Sequence, residues 1–414
     1  MKSIQIEDLK PGMVLAEDIR DRHGRFLLGR DLAVTEKHLR IFRIWGITQV
    51  NIQDSRDQED QDKTASLDPE LWSLARREVL ARFPDHQEDD PLSCDLLKIF
   101  TRYRYKQLEQ GFIENPLFPA RDQAEEPPGP EKGPVDCISS ITDDLKLCSL
   151  PRIFYLIQEA IKDPRTSSRH IADIISKDQA LTANLLRLVN SAFYGFPSRI
   201  DTISRAVTII GTRQLSTLAL GLSVISKFRN IPPEVMDMES FWKHSIACAI
   251  GARTLAGLAR LQGSESFFVC GLLHDLGKLI MLDRHPSTYQ KVLSWARHHQ
   301  VRLARAEKQF FCHDHTYFGG YILKTWKLPL KIEQAVRYHD NPSRARFQTE
   351  AALVNMANIL ATGCLLGNAG EIIIPAPDAE IWQRCGLDSS ALYECSRLMS
   401  AQVDNIYNLI FSHV

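Results

Sequence analysis

From Cys137 to Val414 the chain reads as helix after helix, and this succession constrains the fold more than any other feature. Apolar residues recur three and four apart and strand-like alternation is scarce. Pro151, Pro164, Pro197, Pro286, Pro329 and Pro342 punctuate the segments. No internal repeat is visible. A stretch this long and this uniform predicts an all-α domain with one or two cores.

Two segments are too polar to bury the apolar surface that offsets ordering entropy. Residues 54–63 (DSRDQEDQDK) hold five acids, two bases and no apolar residue, and residues 116–136 are rich in proline, glutamate and glycine. Read as linkers, they divide the chain into 1–53, 64–115 and 137–414. The first part carries the short alternating runs IQI, MVLAEDI, RFLLG and ITQVNI, with a turn at His23-Gly24. Thr35 offers an N-cap for TEKHLRIFRIW and Gly46 a stop. It predicts a small β-rich α+β domain. In 64–115, DPELWSLARREVLARF and PLSCDLLKIFTRYRYKQL predict a helical connector, with Arg102, Arg104 and Lys106 on a solvated face.

Four histidines stand out because their helical stripes are apolar. His244 shares a face with Ala247, Cys248, Gly251 and Leu255; His315 with Phe318, Gly319 and Ile322; His339 with Ile332, Ala335 and Val336. His274, Asp275 and Lys278 fall inside SESFFVCGLLHDLGKLIML, which is apolar on nearly every side and predicts one buried helix with Ser264 as N-cap. A buried carboxylate and ammonium are costly unless paired or bound to a cation. One inward histidine is usually a packed core residue. Four of them beside one carboxylate describe either a divalent-metal site or a buried polar network.

The composition narrows the function classes. Lys and Arg total 50 against 51 Asp and Glu, a net charge of −1, which disfavours general nucleic-acid binding. No apolar run reaches bilayer-spanning length, and MKSIQIEDLKPG lacks a signal-peptide core. The nine cysteines are scattered, odd in number and without a CxxC pair. This predicts a reducing, cytoplasmic location and argues against a disulfide scaffold or a cysteine-type zinc site.

His274-Asp275-Leu276-Gly277-Lys278 resembles the HDxGK signature of the HD superfamily, helical metal-dependent phosphohydrolases and their non-catalytic relatives. The flanking pieces KDQALTANLLRLVNSAFYG, ISRAVTIIG, FWKHS, GLLHDLGK, Glu307-x7-His315-x3-Gly319 and Trp326-x-LP are similar to the HDOD domain, the HD-related output domain of bacterial signalling proteins. GMVLAEDI, RFLL and the helix ending in Trp45-Gly46 resemble the small domain that precedes some HD-GYP-type signalling domains.

The resemblance implies a divalent cation (Fe, Mn or Mg) held by His244, His274, Asp275, His315 and His339, with Lys278 beside it. Two departures weaken that set. His339 is followed by Asp340 where related domains often show a second histidine, and Asn358 stands where the superfamily has its terminal aspartate. An amide is a weaker ligand than a carboxylate. The GYP motif of cyclic-di-GMP phosphodiesterases is absent. The resemblance therefore implies a regulatory, non-catalytic output or scaffolding module acting on signalling protein partners. The alternative is a metal-dependent phosphohydrolase acting on a nucleotide or phosphoester. A nucleotide bound without cleavage is a further ligand the pocket could take.

Overall fold

The computed structural model describes residues 67–112 and 150–411 except 164, 197, 226–227, 229–230 and 232. It also describes residue 129 and, near the start, 2–6, 9–10, 12–17, 19–20, 26–29, 32, 34–35, 38–39, 42 and 49–52. The expected turn at His23-Gly24, the stop at Gly46, the linker 54–63 and all of the linker 116–136 but residue 129 lie outside the described residues.

In the N-terminal part, β1 (Lys2–Gln5) pairs antiparallel with β4 (Gln49–Ile52), Lys2 opposite Ile52. Strand β2 (Ile19–Arg20) pairs antiparallel with β3 (Phe26–Leu28). Ile6, Leu15, Leu28, Phe42, Val50 and Ile52 make a small core of their own. Thr35 Oγ1 accepts from His38 N at 3.3 Å, the cap its side chain predicts.

The rest is helical, as expected. The elements are α1 (Pro69–Arg82), α2 (Pro91–Glu109), α3 (Arg152–Lys162), α4 (Ser168–Ser176), α5 (Gln179–Val189), α6 (Ile203–Ile210), α7 (Thr212–Ile225) and α8 (Met238–Leu258). They continue with α9 (Ser264–Leu273), α10 (Leu276–Arg284), α11 (Pro286–His299), α12 (Leu303–Phe311) and α13 (His315–Thr325). Last come α14 (Leu330–Arg337), α15 (Gln348–Gly363), α16 (Ala379–Arg384) and α17 (Ser389–Phe411). Among the described residues no helix is long and apolar enough to cross a membrane, and the seven described cysteines are free thiols.

Helix α8 is the axis of the core. It packs against α9, α15 and α17, and its residues from Ile246 to Ala252 are all fully buried or nearly so. Glycines set the spacing. A Cβ at Gly271 would lie 2.4 Å from the Cys248 carbonyl oxygen, so α9 crosses α8 at backbone contact. That crossing brings His274, three residues on, to the His244–Cys248 turn of α8.

Helices α1 and α2 share this core. Phe83, Leu96 and Phe100 belong to the same apolar cluster as Leu273 and Leu353. Phe100 lies against the Gly363 backbone, where any side chain would overlap its ring. Arg82 is buried and donates to the carbonyls of Ile372 (3.1 Å) and Thr362 (3.0 Å), while its own carbonyl accepts from Ile374 N at 2.6 Å. Burial lowers its pKa to about 10.

Two sequence expectations are corrected. Arg104 is not on a solvated face: it is buried, with Nε 2.5 Å from Glu78 Oε2, while Arg102 and Lys106 stay exposed. The apolar stretch 264–282 is not one helix. It breaks at His274-Asp275 into α9 and α10, and Gly263, in the left-handed region, takes the N-cap place expected of Ser264. The break has a physical reason. Asp275, at φ −95° and ψ 15°, leaves the helical region there, and its carboxylate meets Lys278 and the imidazoles.

Candidate metal centre

The five side chains singled out from the sequence come from four places in the fold. His244 sits on α8, His274 and Asp275 at the α9–α10 break, His315 at the first position of α13, and His339 just past α14. The structure brings all five together. Neighbouring rings stand 5.3 Å (His244–His274), 5.0 Å (His274–His339) and 5.4 Å (His315–His339) apart, centroid to centroid. Asp275 lies among them, with Oδ2 3.2 Å from His274 Nε2 and 3.8 Å from His244 Nε2, and Oδ1 3.5 Å from His315 Nε2. None of the five is more than 3% exposed.

Three of the four rings are aimed by their other nitrogen. His274 Nδ1–H donates to Gly271 O at 2.8 Å, and His339 Nδ1–H donates to Val336 O at 2.8 Å. Both Nε2 lone pairs are thereby turned to the centre. His315 Nδ1–H donates to Glu307 Oε2 at 2.6 Å, and the His315 backbone N–H donates to the same oxygen at 2.8 Å. Tyr289 donates to Glu307 Oε1 at 2.7 Å, so that carboxylate is held on both sides. Asp314 caps α13 by accepting from Tyr317 N.

Charge in the centre is internally arranged. Lys278 Nζ donates to Asp275 Oδ2 at 2.9 Å. Burial opposes the Asp275 charge, but His274 and Lys278 together hold its carboxyl well below the usual range. Burial also opposes the Lys278 charge, and Asp275 overcomes it, so the ammonium persists. Burial pushes His244 down to about 3 and His339 to about 4, which keeps both neutral. Burial acts the same way on His315, yet Glu307 outweighs it and raises that pKa to about 9.

The arrangement fits a divalent cation. Asp275 Oδ1 and His339 Nε2 are buried without a hydrogen-bond partner, as is His244 Nδ1. Such orphaned atoms are costly unless something polar meets them. The donor atoms fall into three mutually close sets: His244, Cys248 and His274; His274, Asp275 and His339; His315, His339 and Asp340. Imidazole-rich donors suit transition metals better than Mg²⁺.

Sequence reasoning left out Cys248, Glu307 as a holder of His315, Tyr289 and Arg302. The pair His244-x3-Cys248 was visible as one helical turn but read as packing. Asp340, which departs from the family pattern, turns away from the centre's middle to Arg302, whose Nη2 is 2.8 Å from Oδ1. Asn358 lies on α15 against His244.

Residues 147–342 match the HDOD domain family. An uncharacterised protein of Treponema pallidum (strain Nichols) is 28% identical over 208 residues, 49% of this chain; the chain spans 39% of that relative's length. An HDOD domain protein of unknown function from Geobacter sulfurreducens is 22% identical, with a TM-score of 0.53 over 65% of this chain and 98% of its own. A Shewanella amazonensis SB2B protein provisionally named a phosphohydrolase also gives 0.53, at 22% identity over 66% and 98%. A Marinobacter aquaeolei VT8 protein provisionally named for signal transduction gives 0.53 at 21% identity, over 65% and 61%. At these identities the solved structures share the fold, and their names speak for themselves alone.

Proposed function

Because residues 147–342 form an HDOD domain, we propose that the chain is a regulatory protein of bacterial signal transduction, whose helical domain docks signalling proteins and turns over no substrate. One observation carries this reading: the centre is sealed. His274 and His339 are 0% exposed and Asp275 1%. A phosphoester would have to displace packed helices to reach them. The neutral Asn358 and the missing GYP motif point the same way. The N-terminal part would then receive an input or hold a partner.

A divalent cation, Fe or Mn rather than Mg given the imidazoles, would be held by His244, His274, Asp275, His315 and His339. When bound it supplies Lewis-acid charge. The chain's own residues orient it: Gly271, Val336 and Glu307 fix the rings, and Lys278 steadies Asp275.

The orphaned Asp275 Oδ1 and His339 Nε2 favour a second reading, a metal-dependent phosphohydrolase on a nucleotide or phosphoester. The two separate in one experiment. The full chain is loaded with Mn²⁺ or Fe²⁺, its metal content measured, and a panel of nucleotides and phosphoesters offered. The regulatory reading expects no turnover, and a folded His274→Ala/Asp275→Ala variant that still binds partners. Turnover that this variant loses would overturn it.

A further inference from the structure

We infer that Cys248 is a metal ligand in this protein, so that a thiophilic divalent cation such as Zn²⁺ is taken between His244, Cys248, His274 and Asp275. This rests on the reading of the centre as a sealed, non-catalytic site and deepens it: four protein donors complete a tetrahedral shell, as in structural rather than catalytic zinc sites.

The geometry starts from one turn of α8. Cys248 follows His244 by four residues, and both face α9. Cys248 Sγ is 3.7 Å from His244 Nε2 and 3.9 Å from His274 Nε2. Asp275 Oδ2 is 3.8 Å and 3.2 Å from the same two nitrogens. Zinc bonds of ~2.3 Å to sulfur and ~2.0–2.1 Å to nitrogen or oxygen, at tetrahedral angles, put donor atoms about 3.3–3.6 Å apart. These four spacings are within a few tenths of an ångström of that, and His244, Cys248 and His274 form one mutually close donor set that Asp275 adjoins through His274.

Protein chemistry alone leaves the sulfur under-used. His274 spends Nδ1–H on the Gly271 carbonyl, and its Nε2 faces Cys248 Sγ. A thiol has one proton and cannot serve both ring nitrogens. A cation in their midst uses every lone pair. The carboxylate oxygen can keep its bond from Lys278 and still offer its second lone pair. On binding, the Cys248 S–H bond breaks, its proton leaves to solvent and the sulfur pair forms the bond to the metal; nothing is oxidised or reduced. Without a cation, burial and the Asp275 charge hold the thiol protonated. The thiolate thus adds an anionic ligand to a set in which Asn358 supplies none. A CxxC spacing is not needed, because the other donors come from α9 and its break.

The test uses the full chain, stripped by chelator and reloaded with one equivalent of Zn²⁺ or Co²⁺. Zinc-edge X-ray absorption is expected to show one sulfur at ~2.3 Å among nitrogen and oxygen, and the cobalt form a near-ultraviolet sulfur-to-metal band. Cys248→Ser and Cys248→Ala, checked for native circular dichroism, are expected to lose both signals and at least tenfold in affinity. Cys270→Ser, another buried thiol of α9, keeps them. A shell of nitrogen and oxygen only, signals that survive in both Cys248 variants, or no metal uptake would overturn the inference. Phosphoester turnover with the sulfur shell intact would support the ligand and overturn the non-catalytic reading instead.

Discussion

The chain contains two buried His-Asp pairs, His274-Asp275 and His339-Asp340, that begin alike and end differently. In each the ring is 0% exposed and donates through Nδ1, at 2.8 Å, to the carbonyl three residues earlier. The aspartates then part. Asp275 turns to three imidazoles and Lys278 and leaves Oδ1 without a hydrogen-bond partner. Asp340 turns to Arg302 at 2.8 Å, whose charge, against burial, holds its carboxyl well below the usual range. Both carboxylates are ion-paired, Asp275 to Lys278 and Asp340 to Arg302, but Asp275 also lies against three rings, whereas Asp340 reaches only the His315–His339 set.

The sharpest way to break this comparison is Asp275→Asn. It strands a buried ammonium, and losing one partner of such a pair costs about 3–5 kcal/mol. Urea denaturation should show that loss, and removing the ammonium as well (Asp275→Asn with Lys278→Met) should recover much of it. A result under about 1 kcal/mol for the single change would mean that the pair is solvated.

Next is Gly277→Ala, which tests the frame around the first pair only. Its Cβ would meet the His315 carbonyl oxygen at overlap distance. Overpacking typically costs about 1–3 kcal/mol, and metal uptake should fall with stability. Asp340→Asn tests the second pair, where a charged hydrogen bond is lost, worth about 1.5–3 kcal/mol. Unlike Asp275→Asn, it should leave the zinc- or cobalt-bound signal unchanged; a lost signal would place Asp340 among the ligands.

The most graded effect is with pH. His315 is raised to about 9 from an ordinary 6.5 by Glu307, against burial. A raised folded-state pKa stabilises below the unfolded value and loses that contribution as pH climbs to the folded one. Metal-free protein should therefore weaken between pH 6.5 and 9, by no more than about 1.4 kcal/mol per unit. Glu307→Gln should flatten the stability trend.

The inward faces of His244, His315 and His339 were legible because helical periodicity sets each ring beside small or apolar residues. The helical class was legible for the same reason. The break at His274-Asp275 was not, since SESFFVCGLLHDLGKLIML has no proline there and Asp275, in the N-cap place of α10, makes no side-chain cap hydrogen bond. Cys248 stayed hidden because a lone cysteine on an apolar stripe looks like packing until the crossing at Gly271 brings a second helix to it. Arg104 looked solvated because Glu78, its partner, sits on a different helix. Pattern along one helix tells which side is inward but not what it meets.

Arg82 has a consequence for anyone who would cut this protein at the edge of its homology. A fragment that starts near residue 147 deletes the guanidinium that ties off Thr362 and Ile372, and uncovers the groove that Phe100 fills over Gly363. The recognisable module is then shorter than the smallest piece that can stand by itself. A displacement of α1 or α2 is passed through Arg82 and Phe100 to the helix that carries Asn358.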